Sequence, residues 1–287
     1  TRRSIPLFDL TVSREAIDEV TRSLKSGWLS TGPRVAQFER AIMAAVRAKY
    51  AVAVNSATAG LAVALKAAGV GAGAEVVTTP LTFVATIEAI LYCGGIPVFA
   101  DIDAESLTLD AESVRRSLTA RTAAVVTVDM AGHPCDYAKL RAVCSKRRIP
   151  LIADSAHAFG ARYRGKPIPH WTDAAVYSFY ATKNLTCGEG GMVVANRKQY
   201  MERVRYLSRH GMTSNAFQRQ QRGGWEYDVV DLGFKANMSD IHAAVGLGQL
   251  QSFESDQKKR RQLVIRYYQN LEGLNEYIDL PFEQPHC

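Results

Sequence analysis

Pro150-Leu151-Ile152-Ala153-Asp154-Ser155-Ala156-His157 decides the fold of this chain. Three uninterrupted apolar residues run straight into a carboxylate and then into small and polar residues. A run with no polar alternation predicts a strand buried on both faces, as in a parallel sheet covered by helices. A carboxylate at the end of such a strand lies where open α/β sheets hold their ligands. Similar runs recur on both sides of it: Tyr50–Asn55, Glu75–Thr79, Ile96–Asp101, Ala123–Val128, Ala174–Phe179 and Gly191–Asn196. With Pro150–Asp154 they make seven candidate strands.

Helical patterns lie between them. Ala57–Ala68 puts Leu61, Ala64, Leu65 and Ala68 on one face, and Ala111–Leu118 and Asp136–Arg147 have helical spacing, the latter with Asp136 as N-cap. This alternation predicts one α/β domain with a mostly parallel seven-stranded sheet flanked by helices. The last two strands are joined by a loop without a clear helix, so a mixed sheet is allowed. Val12–Leu24 reads as a helix of its own, Ser239–Leu274 as a long helix capped by Ser239, and the polar stretch Thr213–Tyr227 as a long loop.

Composition narrows the function classes. Of 287 residues, 47% are hydrophobic and 22% charged, and 35 Lys and Arg against 28 Asp and Glu give a net charge of +7. This is the balance of a folded globular protein. No apolar stretch approaches the length of a membrane span, and the segment from Thr1 to Pro6 lacks the apolar block of a signal peptide. The five cysteines are scattered with no C-x-x-C pair, and the six histidines have no metal-ligand spacing. Neither a disulfide framework nor a metal site is expected, and the cytoplasm is the expected compartment. Lys146–Arg148 and Lys258–Arg261 read as solvated helix faces, without the aromatic interleaving of a nucleic-acid surface; no nucleic-acid or membrane partner is expected.

Two glycine-rich or small-residue turns compete for a phosphate. Gly69-Val70-Gly71-Ala72-Gly73 follows a helix and precedes a strand, the wrong context for phosphate binding, and reads as a helix-terminating turn. Ser56-Ala57-Thr58-Ala59-Gly60 follows the strand ending at Asn55 and opens a helix, which leaves free amides aimed at an anion. Further along, Ser178-Phe179-Tyr180-Ala181-Thr182-Lys183-Asn184 carries a lysine out of another strand, followed by Gly188-Glu189-Gly190-Gly191. A lysine and an aspartate on separate strand ends, with a phosphate seat nearby, is the set that pyridoxal phosphate requires. The lysine forms the Schiff base, and the carboxylate pairs with the protonated ring nitrogen.

These motifs resemble the DegT/StrS family of pyridoxal-phosphate-dependent nucleotide-sugar aminotransferases, which have the type I aspartate aminotransferase fold. The likeness runs through Gly27–Pro33, Asn55–Leu61, Thr79–Phe83, Asp154–Gly160, Ser178–Gly191 and Asn237–Leu250, in the family's order. The resemblance implies that Lys183 bonds the cofactor and shuttles the proton, that Asp154 holds the ring nitrogen, and that His157 lies near the phenolic oxygen. It places Phe83 against the ring, and Ser56, Ala57, Thr58 and Ser178 around the phosphate. Asn237 would complete that phosphate site in the partner subunit of a homodimer with shared active sites.

The same resemblance implies transfer of an amino group from glutamate to a nucleotide-linked keto-sugar. A sugar dehydratase of the family replaces the lysine with histidine, whereas Lys183 is present here; a non-catalytic pyridoxal-phosphate-binding regulatory protein is the alternative outside catalysis. Cys187, near Lys183, reads as a buried spacer. The implied layout is an N-terminal segment (1–25) associated with the small domain, a large cofactor-binding domain (26–250), and a long helix opening the small C-terminal domain (251–287). Family members continue beyond this point, so that small domain is expected to be incomplete at residue 287.

Overall fold

The computed structural model describes residues 10–214, 216–274 and 276–287. The first nine residues of the expected N-terminal segment lie outside the described ones. The chain begins with helices α1 (Arg14–Lys25) and α2 (Pro33–Val46), then strand β1 (Tyr50–Val54) and helix α3 (Ala57–Ala67). There follow β2 (Glu75–Thr78), α4 (Val84–Tyr92), β3 (Ile96–Phe99), α5 (Ala111–Ser117), β4 (Thr122–Val128), α6 (Tyr137–Arg147) and β5 (Leu151–Asp154). A two-stranded hairpin, β6 (Arg162–Tyr163) and β7 (Lys166–Pro167), precedes β8 (Ala174–Ser178) and β9 (Gly191–Ala195). Helices α7 (Lys198–Leu207), α8 (Ala216–Arg222) and the long α9 (Asp240–Leu271) complete it.

All seven expected strands are present and form one sheet in the order β1-β9-β8-β5-β4-β2-β3. Four neighbouring pairs are parallel, and β9 runs antiparallel to both β8 and β1. The apolar runs explain the sheet's burial. Val125, Leu151, Ala153, Ala175 and Tyr177 pack on one face with Phe38, Ile42 and Leu140. Their alternate neighbours Ala124, Val126, Ile152, Ala174 and Val176 pack on the other with Val63, Leu65 and Ile90. Successive residues point to opposite faces, and helices cover both, so the strands carry no regular polar alternation.

The caps expected at Asp136 and Ser239 form, and Ser56 caps a helix as well. Ser56 Oγ accepts from the Ala59 amide at 3.1 Å, Asp136 Oδ1 from the Lys139 amide at 3.3 Å, and Ser239 Oγ from the His242 amide at 3.3 Å. Asp240 adds a cap that joins two elements: from the first turn of α9 its carboxylate accepts the amides of Gly32, Arg34 and Val35 at the start of α2. Helix α1 lies so close to α9 that a Cβ at Gly248 would sit 2.2 Å from the Ala16 backbone.

One expectation is corrected. Thr213–Tyr227 is not a loop throughout, since α8 occupies Ala216–Arg222. Gln, Arg and Ala are good helix formers, and the turn is anchored by Phe217 packing edge-on against Trp28 at 4.9 Å. The Gly69–Gly73 segment is the helix-to-strand turn it was read as, with Gly69 and Gly73 at positive φ (94° and 77°).

Candidate active site

Strand direction gathers the site. Strands β2, β4, β5 and β8 are mutually parallel, and β1 runs the same way because both it and β8 are antiparallel to β9. The segments leaving their C-terminal ends therefore meet on one edge. These are Ser56–Thr58 after β1, Thr82–Thr86 after β2, Asp129 after β4, Asp154–His157 at β5, and Ser178–Lys183 at β8. A cavity of about 420 Å³ is lined by residues of all five segments, with Glu189 and Gly190 closing one side.

The anion seat is the start of α3. Ser56 uses its hydroxyl on the Ala59 amide and its carbonyl on the Gly60 amide. The Ala57 and Thr58 amides keep no partner among the described residues, and both residues line the cavity at the positive end of the helix dipole. Gly191 permits this arrangement: a Cβ there would lie 2.8 Å from the Ala57 nitrogen and 2.9 Å from the Tyr177 oxygen. Gly60 likewise lets α3 rest on Val176 and Val54. Ser178, largely buried, lines the same end.

Asp154 is only 6% exposed. Its Oδ2 accepts from Thr86 Oγ1 at 2.7 Å and its Oδ1 from the Ala156 amide at 3.2 Å. Burial pushes its pKa up, while the Thr86 hydroxyl, the Ala156 amide, His157 and Lys183 pull the other way. A buried carboxylate of this kind favours a cationic group brought into the cavity. Lys183 shows the converse: burial lowers its pKa and Asp154 opposes the shift. His157 is also lowered, first by burial and then by the charge of Lys183.

The lysine loop is pinned at both ends. The Phe179 amide donates to the Gly190 carbonyl at 2.9 Å and the Cys187 amide to the Phe179 carbonyl at 2.8 Å, while Asn184 Nδ2 donates to the Phe159 carbonyl at 2.7 Å. Cys187 is buried, its thiol pushed well up by burial, and its sulfur faces Gly246. It is a packed spacer, as its sequence context suggested.

Eight of the nine residues singled out from sequence (Ser56, Ala57, Thr58, Phe83, Asp154, His157, Ser178 and Lys183) line this cavity. Phe83 is 73% exposed, so one flank of its ring is free to cover a bound group. Asn237 does not line it within the chain: its Nδ2 donates to Thr31 Oγ1 at 2.7 Å and its Oδ1 accepts from Lys235 Nζ at 2.6 Å. Sequence reading missed Thr86 and Asp129. Thr86 sits one turn into a helix that no apolar period marks. Asp129 is a strand-end carboxylate, the same signal that singled out Asp154.

The cavity thus offers two free amides at a helix N-terminus, a buried carboxylate and a desolvated amine, which match the phosphate, ring nitrogen and aldehyde of pyridoxal phosphate. Comparison with known proteins agrees. The chain is 45% identical over 275 residues to the spore coat polysaccharide biosynthesis protein SpsC of Bacillus subtilis (strain 168), a match that covers 94% of this chain and 70% of the relative. Spr1654 from Streptococcus pneumoniae in its PMP form superposes with a TM-score of 0.88 at 34% identity, over 94% of this chain and 73% of the other; that protein has also been solved in a PLP form. DesI, solved in the presence of its TDP-sugar product, superposes with a TM-score of 0.82 at 35% identity, over 92% of this chain and 64% of the other. The DegT/DnrJ/EryC1/StrS aminotransferase family model matches residues 11–286, and the chain belongs to that family of pyridoxal-phosphate-dependent enzymes.

Proposed function

We propose that this protein transfers an amino group from glutamate to a nucleotide-linked keto-sugar, using a site completed by a second copy of the chain. The observation that carries the reading is the desolvated amine of Lys183 in one cavity with the buried carboxylate of Asp154 and the open start of α3. The TDP-sugar product of DesI supports a nucleotide-linked acceptor.

Bound pyridoxal phosphate supplies a carbonyl that condenses with amines and a ring that takes up an electron pair. The remaining work falls to the chain. The amides of Ala57 and Thr58, with Ser56 and Ser178, hold the phosphate. Asp154, steadied by Thr86, keeps a positive charge at the ring nitrogen. Lys183 Nζ would anchor the cofactor's carbonyl carbon and, when free, would serve as the base that takes the proton from the donor's α-carbon and gives it up again. For this its amine must be partly neutral, which its burial promotes. Phe83 and His157, which both line the cavity, would cover the ring and meet its polar edge. The same groups act in reverse order on the keto-sugar.

The shared site rests on two observations. No arginine lines the cavity among the described residues, so the further cations that a nucleotide diphosphate calls for have to come from elsewhere. Large apolar groups are also exposed at the cavity's edge, Phe83 in its lining and Val84 next to it in sequence. A half-reaction tests the function: mixing the holoenzyme with glutamate should convert the cofactor to its amine form and release one 2-oxoglutarate per site. Addition of a nucleotide-linked keto-sugar should then reverse the spectrum. No spectral change with glutamate or any other amino acid would leave a cofactor binder without turnover.

A further inference from the structure

Beneath Asp154 lies a second carboxylate that the reaction as described does not use. Asp129 is 1% exposed. Its Oδ2 accepts from Ser155 Oγ at 2.6 Å, and its Oδ1 accepts from Tyr137 Oη at 2.6 Å and from the Cys135 amide at 3.1 Å. Its own amide donates to the carbonyl of Asp154 at 3.0 Å. Ser155, fully buried, donates its amide to the carbonyl of Val176 on β8 at 2.9 Å. Asp129 and Ser155 together therefore tie the ends of β4, β5 and β8, the strands that carry Asp129, Asp154 and, one loop on, Lys183.

We propose that Asp129 is a positioning residue of the active site: through Ser155 and the Asp154 carbonyl it fixes Asp154 relative to the β8 end, and its charge reinforces that of Asp154 on a cation held in the cavity. A carboxylate is a costly choice for bridging strand ends alone, because burying charge without a countercharge is unfavourable and a neutral amide would make similar bonds. Among the described residues, the groups facing Asp129 are Asp154 from β5, Tyr137 from α6, Cys135 before α6, Tyr177 from β8 and Cys287 from the C-terminal segment. None of these is a cation. Burial pushes the thiols and phenols up, so near neutrality these neighbours add no charge beside Asp129. Asp129 lines the cavity beside Val128 and Met130, in which Lys183 is the one lysine among the described residues and a bound cationic ring nitrogen would add further countercharge.

This rests on pyridoxal phosphate binding in the cavity but not on glutamate or a keto-sugar being the substrates, so the test reads the bound cofactor rather than turnover. Holoenzyme is reconstituted with cofactor carrying an isotopically labelled ring nitrogen, and the protonation of that nitrogen is followed by NMR against pH. Asp129→Asn and Ser155→Ala should each lower the pH at which the ring nitrogen loses its proton by about one unit, the scale of one hydrogen bond to a charged group. Tyr137→Phe, which removes a bond of the same length on the side away from Asp154, should leave it within a small fraction of that shift. Unchanged titration in both Asp129→Asn and Ser155→Ala, or a shift in Tyr137→Phe equal to theirs, would reduce Asp129 to a core hydrogen-bond acceptor and overturn the proposal. Should Asp129→Asn fail to fold, Ser155→Ala carries the same readout alone. A wild-type enzyme that binds cofactor but ignores glutamate would contradict the proposed function and leave this inference standing.

Discussion

Asp154 illustrates how much of the site's energetics is held in one side chain. Its carboxylate is buried, and among the described residues the only side-chain hydroxyl bonded to it is that of Thr86 at 2.7 Å. In the proposed role Asp154 keeps the ring nitrogen positive, and Asp154→Asn removes that charge. Breaking a buried charge pair costs about 3–5 kcal/mol, so α-proton removal should slow by roughly 10²–10⁴ in single-turnover measurements, with part of the cofactor still bound. Thr86→Val is a gentler probe because it is nearly isosteric. Losing one hydrogen bond to a charged group costs about 1.5–3 kcal/mol, which predicts a rate lower by roughly 10- to 100-fold with little change in the melting transition. Near-wild-type single-turnover rates in either variant would remove the pair from this role. Lys183 and Asp154 were legible in sequence because each is a lone charged residue at the end of an apolar run. Thr86 was not, since its role depends on α4 bringing it beneath the sheet edge. Asp129 met the same rule as Asp154, and its importance emerges only from the hydrogen bonds that cluster on it.

At the scale of elements, the seven strands were readable because burial on both faces leaves continuous apolar runs. Their order was not. β1 joins the sheet beside β9, about 140 residues away in sequence as their pairing shows, and no local pattern encodes such a crossover. Helix α4 is apolar nearly all round (Val84-Ala85-Thr86-Ile87-Glu88-Ala89-Ile90), so it has no polar face to give it a period. Helix α8 is the opposite case, polar enough to read as loop. The contact between Gly191 of β9 and the start of α3 is an element-level feature with a direct test. Gly191→Ala places a methyl 2.8 Å from the Ala57 nitrogen and must push α3 away from the sheet. Overpacking of this kind costs about 1–3 kcal/mol. Cofactor affinity should fall by roughly 10-fold or more with retained secondary structure; affinity and melting temperature equal to wild type would contradict the cradle described here.

For the whole molecule, two expectations follow from charge and from assembly. Burial pushes the Asp129 pKa up to about 6, above its value in the unfolded chain, so the folded state binds a proton more readily than the unfolded one. Its effect on stability is therefore unfavourable above that value and is relieved as pH falls toward about 4. Asp129→Asn lacks this term. In chemical denaturation of the cofactor-free protein, its stability relative to wild type should improve by on the order of 2–3 kcal/mol between about pH 4 and pH 7; a flat or opposite trend would count against a buried, charged Asp129. The shared site makes a separate claim, since Asn237 is held by Thr31 and Lys235 outside its own chain's cavity. If Asn237 serves the partner's phosphate, mixing the inactive Lys183→Ala and weakened Asn237→Ala proteins yields hybrid dimers with one intact site, and activity should reappear. Activity that stays at the level of the unmixed variants would assign Asn237 to its own subunit or to neither site.

The central claim is that the cofactor is bound through Lys183, on the loop that leaves β8 toward the open end of α3. Borohydride reduction of the holoenzyme followed by peptide mass spectrometry tests it most directly. A single cofactor-modified peptide carrying the label on Lys183 is expected, with neither label nor visible cofactor band in a folded Lys183→Ala variant. Stoichiometric label on any other lysine, or an undiminished band in Lys183→Ala, would contradict it.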